Sequence, residues 1–289
     1  MKSRDALRVL AEVSVSQWGM VSSAQASARG VSHMNLTRLA ESGDLIRLSY
    51  GVYRDAGAPG GQHEELRAAW LATDPAKLAY ERLSEHPRSA IVSGESAARL
   101  HGIGNLRAMK SEFTTPTRKQ TQRADVRYRT RVLPEQDITV REGLPTTTRE
   151  RTIADLVEDR NDFSIVGNAL RDAARQSRLD VDRLTQLLSP LAERNGHRKG
   201  DGDALLEELL RVAGIDHGSI AKQIASIPSF GGLVAAQYLE NLRKGEITSA
   251  PRGQIASSST TTTHAQLGEQ LRAADWASLA VATQPTKRR

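Results

Sequence analysis

The sequence predicts an α+β protein, in which an N-terminal winged helix-turn-helix precedes a mixed α/β domain with a small sheet and a helical C-terminal part. Three observations predict it. Apolar residues recur at helical spacing within residues 5–43 and again from residue 147 onward. Residues 88–145 consist of short β-branched or alternating segments that turn residues separate. Glycine-rich stretches at 55–62 and 195–203 have the composition of connections.

The first elements are three helices in close succession. The segment DALRVLAEV has the apolar spacing of the first helix. Ser22 begins the second, and Gln25 three residues later completes a capping box. Gly30 suits the left-handed conformation that ends this helix and turns the chain. Ser32 then caps the third helix, which we expect over residues 32–41.

A two-stranded ribbon follows the third helix. Ile46, Leu48 and Tyr50 alternate with Arg47 and Ser49, as expected of a half-buried strand, and a glycine then allows the chain to reverse. Three helices and a β-hairpin in this order make a winged helix. Its third helix, which is the second of the helix-turn-helix, suits the major groove of DNA.

We expect this unit to bind DNA. A purely structural winged helix, used for docking or dimerisation, is the alternative, because the outer face of the third helix is only mildly basic. The residues expected to contact DNA are Ser32, His33, Asn35, Thr37, Arg38, Arg47, Ser49, Tyr50 and Arg54.

The opening unit and two later motifs resemble the AbiEi family of antitoxins from type IV toxin–antitoxin systems. The matching stretches are VSSAQASARGVSHMNLTRLAESG with DLIRLSYGVYR, then IVSGESAARLHGIG (Ile91–Gly104), TTPTRK and GLPTTTRERTIADL (Gly143–Leu156), which together cover roughly residues 5–180. The resemblance implies an abortive-infection antitoxin that binds inverted repeats in its own promoter. It also implies a second domain that neutralises a nucleotidyltransferase-type toxin, with or without a stable complex, and no enzymatic activity.

The expected organisation has four parts. Residues 1–57 form the winged helix-turn-helix and residues 62–190 the AbiEi-like α/β domain. Residues 201–247 form a helical extension, and residues 248–289 are a polar, low-complexity tail that we expect to be disordered. The resemblance to the family does not extend beyond about residue 190.

Two helices of the second domain are predicted from their ends. Ser93 and Gly102 bound one helix, and His101 near its end suits a structural role at the last carbonyls better than a catalytic one. Thr147 and Glu150 have the spacing of a capping box for the other helix.

A second basic surface is possible between residues 110 and 131. Its arginines alternate along a predicted strand, at a spacing of about 7 Å that is close to that of successive phosphates. A nucleic-acid backbone and plain solvent are equal alternatives as the counterpart of this row, and an acidic surface on a toxin is a third. The residues concerned are Arg118, Lys119, Arg123, Arg127, Arg129 and Arg131.

Composition excludes several functions. The net charge of +6 favours an anionic partner, with nucleic acid first. The chain has no cysteine, its histidines lack metal-ligand spacing, and it has no phosphate-binding glycine motif. We expect no metal, no cofactor, no catalytic residues, no membrane contact, a cytoplasmic location and a monomer in solution. The alternatives are a stand-alone winged-helix regulator and a nucleic-acid-processing enzyme, although the latter lacks a visible carboxylate cluster.

Overall fold

The computed structural model describes residues 2–85, 88–159, 162–177 and 179–215. These residues form an α+β protein, as the sequence predicts, with two separate sheets. The part of the expected helical extension that follows residue 215 and the disordered tail expected from residue 248 lie outside the described residues.

The N-terminal unit is a winged helix. Its sheet is antiparallel with the order β1-β3-β2, so that the third strand is central. The elements are α1 (Ser3–Ser14), β1 (Met20–Ser22), α2 (Ser23–Ala28), α3 (His33–Glu41), β2 (Leu45–Ser49) and β3 (Val52–Asp55).

Local hydrogen bonds explain where the two helices of the helix-turn-helix begin. The Ser22 hydroxyl accepts from the Gln25 amide at 3.0 Å, and the Gln25 side chain accepts from the Ser22 amide at 2.9 Å. The predicted capping box is therefore confirmed. The Ser32 hydroxyl caps α3 by accepting a hydrogen bond from the backbone N–H of Asn35 at 3.3 Å. Gly30 has φ +76°, the left-handed conformation that the turn between α2 and α3 requires.

The wing, which is the hairpin of β2 and β3, differs from the predicted alternation. Leu45 is the buried residue of β2, whereas Ile46 and Tyr50 are exposed. The register shifts between Arg47 and Ser49, where β2 carries a bulge. An extra residue in one strand reverses which side chains point inward beyond it, and so the predicted alternation does not continue to Tyr50. Ile46 lies before the bulge and is exposed because its neighbour Leu45 takes the inward position.

The second sheet is mixed and has the strand order β6-β5-β4-β8-β7. Its strands are β4 (Ile91–Val92), β5 (Ser111–Thr115), β6 (Val126–Thr130), β7 (Ile138–Arg141) and β8 (Leu144–Thr147). The helices around it are α4 (Glu64–Thr73), α5 (Ala79–Ser84), α6 (Gly94–His101), α7 (Arg149–Asp159), α8 (Phe163–Gln176), α9 (Val181–Leu188) and α10 (Gly202–Ala213).

The start of α7 departs from the prediction. Thr147 ends the buried strand β8 rather than capping the helix, and Thr148 takes the cap position, since its hydroxyl accepts from the Arg151 amide at 3.3 Å. Glu150 instead accepts a hydrogen bond from the Asp180 amide. The predicted capping box of Thr147 and Glu150 is therefore wrong, because Thr147 belongs to the sheet and the Glu150 carboxylate bonds to the Asp180 amide.

Two apolar cores stabilise the second domain. One lies between its sheet, α4 and α6 and also includes Met20 and Val52 of the winged helix, and the other lies among α6 to α10. Leu205 and Leu209 of α10 belong to the second of these cores. Gly202 comes so close to α9 that a Cβ atom would lie 2.2 Å from the Thr185 carbonyl oxygen. The start of the predicted extension is therefore part of this core.

The winged helix packs directly on the second domain. The Trp18 ring meets Trp70 edge-on with 6.2 Å between centroids, and the Arg67 guanidinium lies 5.2 Å from the Trp18 ring. Arg67 also donates to the Glu142 carbonyl at 3.0 Å. Gly143 closes this junction, because a Cβ there would lie 2.9 Å from Trp18. The two units thus share a contact that truncation between them would expose.

This junction also determines the conformation of the segment between α4 and α5, which contains Pro75. The Ser22 hydroxyl donates to the Pro75 carbonyl, and the Gln25 side chain donates to the Lys77 carbonyl at 2.7 Å. These carbonyls bind the winged helix, and the segment between α4 and α5 is therefore a turn and not the first turn of a helix.

Candidate nucleic-acid interface

One side of α3 is open to solvent. Leu36 and Leu39 point into the core of the winged helix, whereas His33, Thr37 and Arg38 are exposed. This is the arrangement that a helix needs to enter the major groove, with an apolar side that packs and a polar side that is free.

Two further predicted residues lie at the N-terminus of α3. Ser32 is exposed and Asn35 is half-buried, and the Ser32 hydroxyl donates to the Asn35 side-chain oxygen at 2.9 Å. Both side chains therefore help to fix the start of the helix. They lie at the end of α3 where backbone N–H groups favour a phosphate.

The wing presents a cation and an aromatic ring together. Arg47 is exposed, Tyr50 is 84% exposed at the tip, and the Arg47 guanidinium lies 5.8 Å from the centre of the Tyr50 ring. Ser49 beside them is half-buried. A cation this close to an aromatic face is attracted to it, which restricts the long arginine side chain.

Arg54 does not belong to this surface, contrary to the prediction. It is only 9% exposed, and its guanidinium contacts the Glu64 carboxylate and the Ala58 carbonyl. The physical reason is the strand order: β3 lies in the middle of its sheet, next to the connection that leads to α4. Arg54 therefore holds the winged helix to the second domain.

Three arginines of the possible second basic surface form ion pairs with an acidic helix, although the Arg127 side chain is still 48% exposed. Arg127 lies 3.1 Å from Asp159, and Arg131 lies 2.8 Å from Glu158. Arg129 contacts both of these carboxylates, at 2.5 and 2.9 Å. The sequence analysis left three counterparts open for this row, and the structure places a fourth there, the carboxylates of α7. These three arginines are therefore not a row of unpaired cations along β6 and its end.

The other residues of that predicted surface behave differently from one another. The Lys119 ammonium donates to the Thr73 carbonyl at 2.7 Å, and burial is the largest influence lowering its pKa. Arg123 forms an ion pair with Asp125 at 2.5 Å. Arg118 is exposed. The six basic residues thus do not act as one surface.

His101 is buried at the end of α6. Its Nε2 atom lies 2.7 Å from the Thr147 carbonyl oxygen, and burial lowers its pKa to about 4. The imidazole is therefore uncharged at neutral pH, and it joins α6 to β8. Its role is structural, as predicted, but it does not act through the helix dipole, which would favour a charged ring.

Two family models match the chain. Residues 8–54 match the model described as a transcriptional regulator, AbiEi antitoxin, and residues 89–208 match the AbiEi antitoxin C-terminal domain. Together the two ranges cover more than half of the chain. The chain belongs to the AbiEi antitoxin family. Its first matched range ends with β3, and its second begins just before β4 and ends within α10.

Comparison with other proteins adds little to this family assignment. No curated protein matches the chain. Among solved structures, the RV2827C protein from Mycobacterium tuberculosis is similar at 17% identity over 70% of this chain and 80% of that chain, with a TM-score of 0.44. This AbiEi protein is thus a transcriptional regulator and antitoxin by family.

Within the described ranges, no group of three or more metal-ligating side chains is arranged to hold a metal ion. No helix there is both long and apolar enough to cross a lipid bilayer.

The sequence analysis missed one residue of the exposed side of α3. Met34 is 62% exposed, and the residues predicted to contact DNA did not include it. Its position was available from the helical spacing, because Met34 lies three and four residues before Thr37 and Arg38.

Proposed function

We propose that this AbiEi protein is the antitoxin of a type IV toxin–antitoxin system, one that represses its own promoter and neutralises a nucleotidyltransferase-type toxin. The observation that carries the proposal is the open side of α3 next to the exposed wing, in a unit whose family is a transcriptional regulator. The proposal includes a monomer in solution, inverted repeats in the operator and no cofactor.

DNA binding follows from where the charges lie. Arg38 on α3 and Arg47 on the wing are cations with exposed side chains. An α-helix such as α3 is narrow enough to enter the major groove. In this arrangement α3 reads bases while Arg47 contacts a phosphate. Arg54 takes no part, since its guanidinium is bound to Glu64.

Substitution of either exposed arginine should weaken promoter binding. We expect Arg38→Ala and Arg47→Ala each to lower affinity for the upstream promoter about tenfold or more in a gel shift, since a lost base or phosphate contact costs about 1–3 kcal/mol. Loss of the Arg47 phosphate contact should also make the plot of log binding constant against log salt concentration less steep, by about one unit of slope.

The matched control is Lys199→Ala, which removes an exposed cation from the loop before α10 and should leave binding unchanged. A wild-type protein that does not retard its promoter DNA at moderate salt would end this part of the proposal. Equal losses for all three variants would indicate a non-specific charge effect.

Neutralisation is proposed for the domain that matches the antitoxin model. We expect the full chain to restore growth when it is expressed with the neighbouring toxin gene. The full chain is needed because truncation before α4 would expose the Trp18 contact with Trp70. The Arg38→Ala and Arg47→Ala double variant should restore growth equally well, since neither residue lies in that domain.

The outcomes of this co-expression separate the alternatives. Continued growth arrest together with normal promoter binding would mean a stand-alone regulator. Loss of neutralisation in the double variant would mean that toxin control acts through DNA binding.

A further inference from the structure

The exposed side of α3 has an apolar centre. Met34 is largely exposed there, and the Thr37 hydroxyl donates to the His33 carbonyl oxygen at 3.1 Å. Because this bond uses the hydroxyl proton within the helix, the Thr37 methyl group is the other substituent that the position can offer. Arg38 lies beside them, one turn after Met34.

An exposed methionine in the middle of a polar helix face loses contact with water only when a partner covers it. Its neighbours His33, Thr37, Arg38 and Glu41 are polar and exposed, so that the apolar area is about one side chain wide. Interfaces between proteins need a much larger area. A single small apolar group therefore fits this centre better than a second protein surface.

The major groove of DNA offers such a group. Thymine carries a C5-methyl group there, and apolar side chains on a recognition helix contact it. The flexible thioether of methionine adapts to the exact height of the base. The neighbouring cations Arg38 and Arg47 supply the attraction to phosphates that brings α3 to this depth.

We propose that Met34 is a specificity-determining residue of this repressor, which selects a thymine in each operator half-site through its C5-methyl group, with the Thr37 methyl at the edge of the same contact. This inference rests on the proposed promoter binding and adds which base the operator must contain.

The test removes the methyl group from the DNA. Each thymine of the protected half-site is replaced in turn by deoxyuridine, which lacks only the C5-methyl, and affinity of the full chain is measured by gel shift. We expect one thymine per half-site at which the wild type loses about fourfold in affinity, the equivalent of one buried methyl group. Met34→Ala should lose about as much on the unmodified operator and should bind both operators equally.

Two further variants control this comparison. Met34→Leu keeps an apolar side chain of similar size and should retain the preference for thymine. Met109→Ala changes another methionine, which is 83% exposed outside the winged helix, and should behave as the wild type does.

Three results would overturn the inference. The first is that deoxyuridine has no effect at any position, and the second is that Met34→Ala keeps the full preference for thymine. The third is that Met34→Ala abolishes a dimer in sedimentation analysis while wild-type affinity is independent of the thymine methyl group, which would make Met34 a self-association residue. In all three cases the wild type still binds its promoter, whereas failure of the proposed function would abolish that binding itself.

Discussion

Replacement of Asp155 by alanine is expected to lower the free energy of unfolding by about 3–5 kcal/mol, the usual cost of breaking a buried ion pair from one side. The Asp155 side chain is 1% exposed. Its Oδ1 atom accepts from Arg129 at 2.9 Å, from Arg131 at 3.0 Å and from Arg151 at 2.5 Å. Without this carboxylate, three guanidinium groups lose a shared partner in a region that water reaches poorly.

Chemical denaturation followed by circular dichroism measures this loss. The control is Asp125→Ala, which removes an ion pair of the same type with Arg123 but from a carboxylate that is 61% exposed. Exposed pairs contribute about 0.2–1 kcal/mol, and the control should stay within that range. Equal small losses in the two variants would contradict a stabilising role for the Asp155 network.

The stability of the wild type is expected to fall by about 3 kcal/mol between pH 7 and pH 4 because of His101. Burial lowers the pKa of the folded-state imidazole to about 4, and unfolding returns it to about 6.5. Between these two values the unfolded chain binds a proton that the folded chain does not. Stability therefore decreases as the pH falls through this window and is fully present above about pH 6.5.

The measurement is the slope of unfolding free energy against pH for the wild type and for His101→Gln. We expect the variant to have a shallower slope between pH 6.5 and pH 5, by up to about 1.4 kcal/mol per pH unit. The slope is informative even if His101→Gln is less stable at every pH. Identical slopes would show that His101 does not titrate on unfolding in this range.

Two other groups act in the same direction and need separate controls. Burial, followed by the charge of Arg99, lowers the pKa of His63, and His63→Gln measures its part of the slope. The contribution of Glu158 to the stability of the protein is lost only at more acidic pH. Burial opposes ionisation of its carboxyl, but hydrogen bonding to Arg131 and the nearby arginine charges together lower its pKa.

The candidate interface was largely predictable from sequence because it depends on short-range structure. The cap at Ser32 and the inward spacing of Leu36 and Leu39 determine which side of α3 is free. Arg38 and Arg47 are exposed for the same local reason. Met34 was missed because apolar residues are usually assigned to a core, although its helical spacing from Thr37 and Arg38 places it on the exposed side.

The sequence by itself determined the capping box of Ser22 and Gln25, the order of helices and strands in the winged helix, and the motifs that place the chain in its family. Each depends on residues a few positions apart, whose interactions are nearly the same in any fold. Only the tertiary structure decided that Arg54 is buried and that Arg129 faces Asp155. The partner of a charged side chain on a strand depends on which helix packs over it, and that helix lies more than twenty residues away.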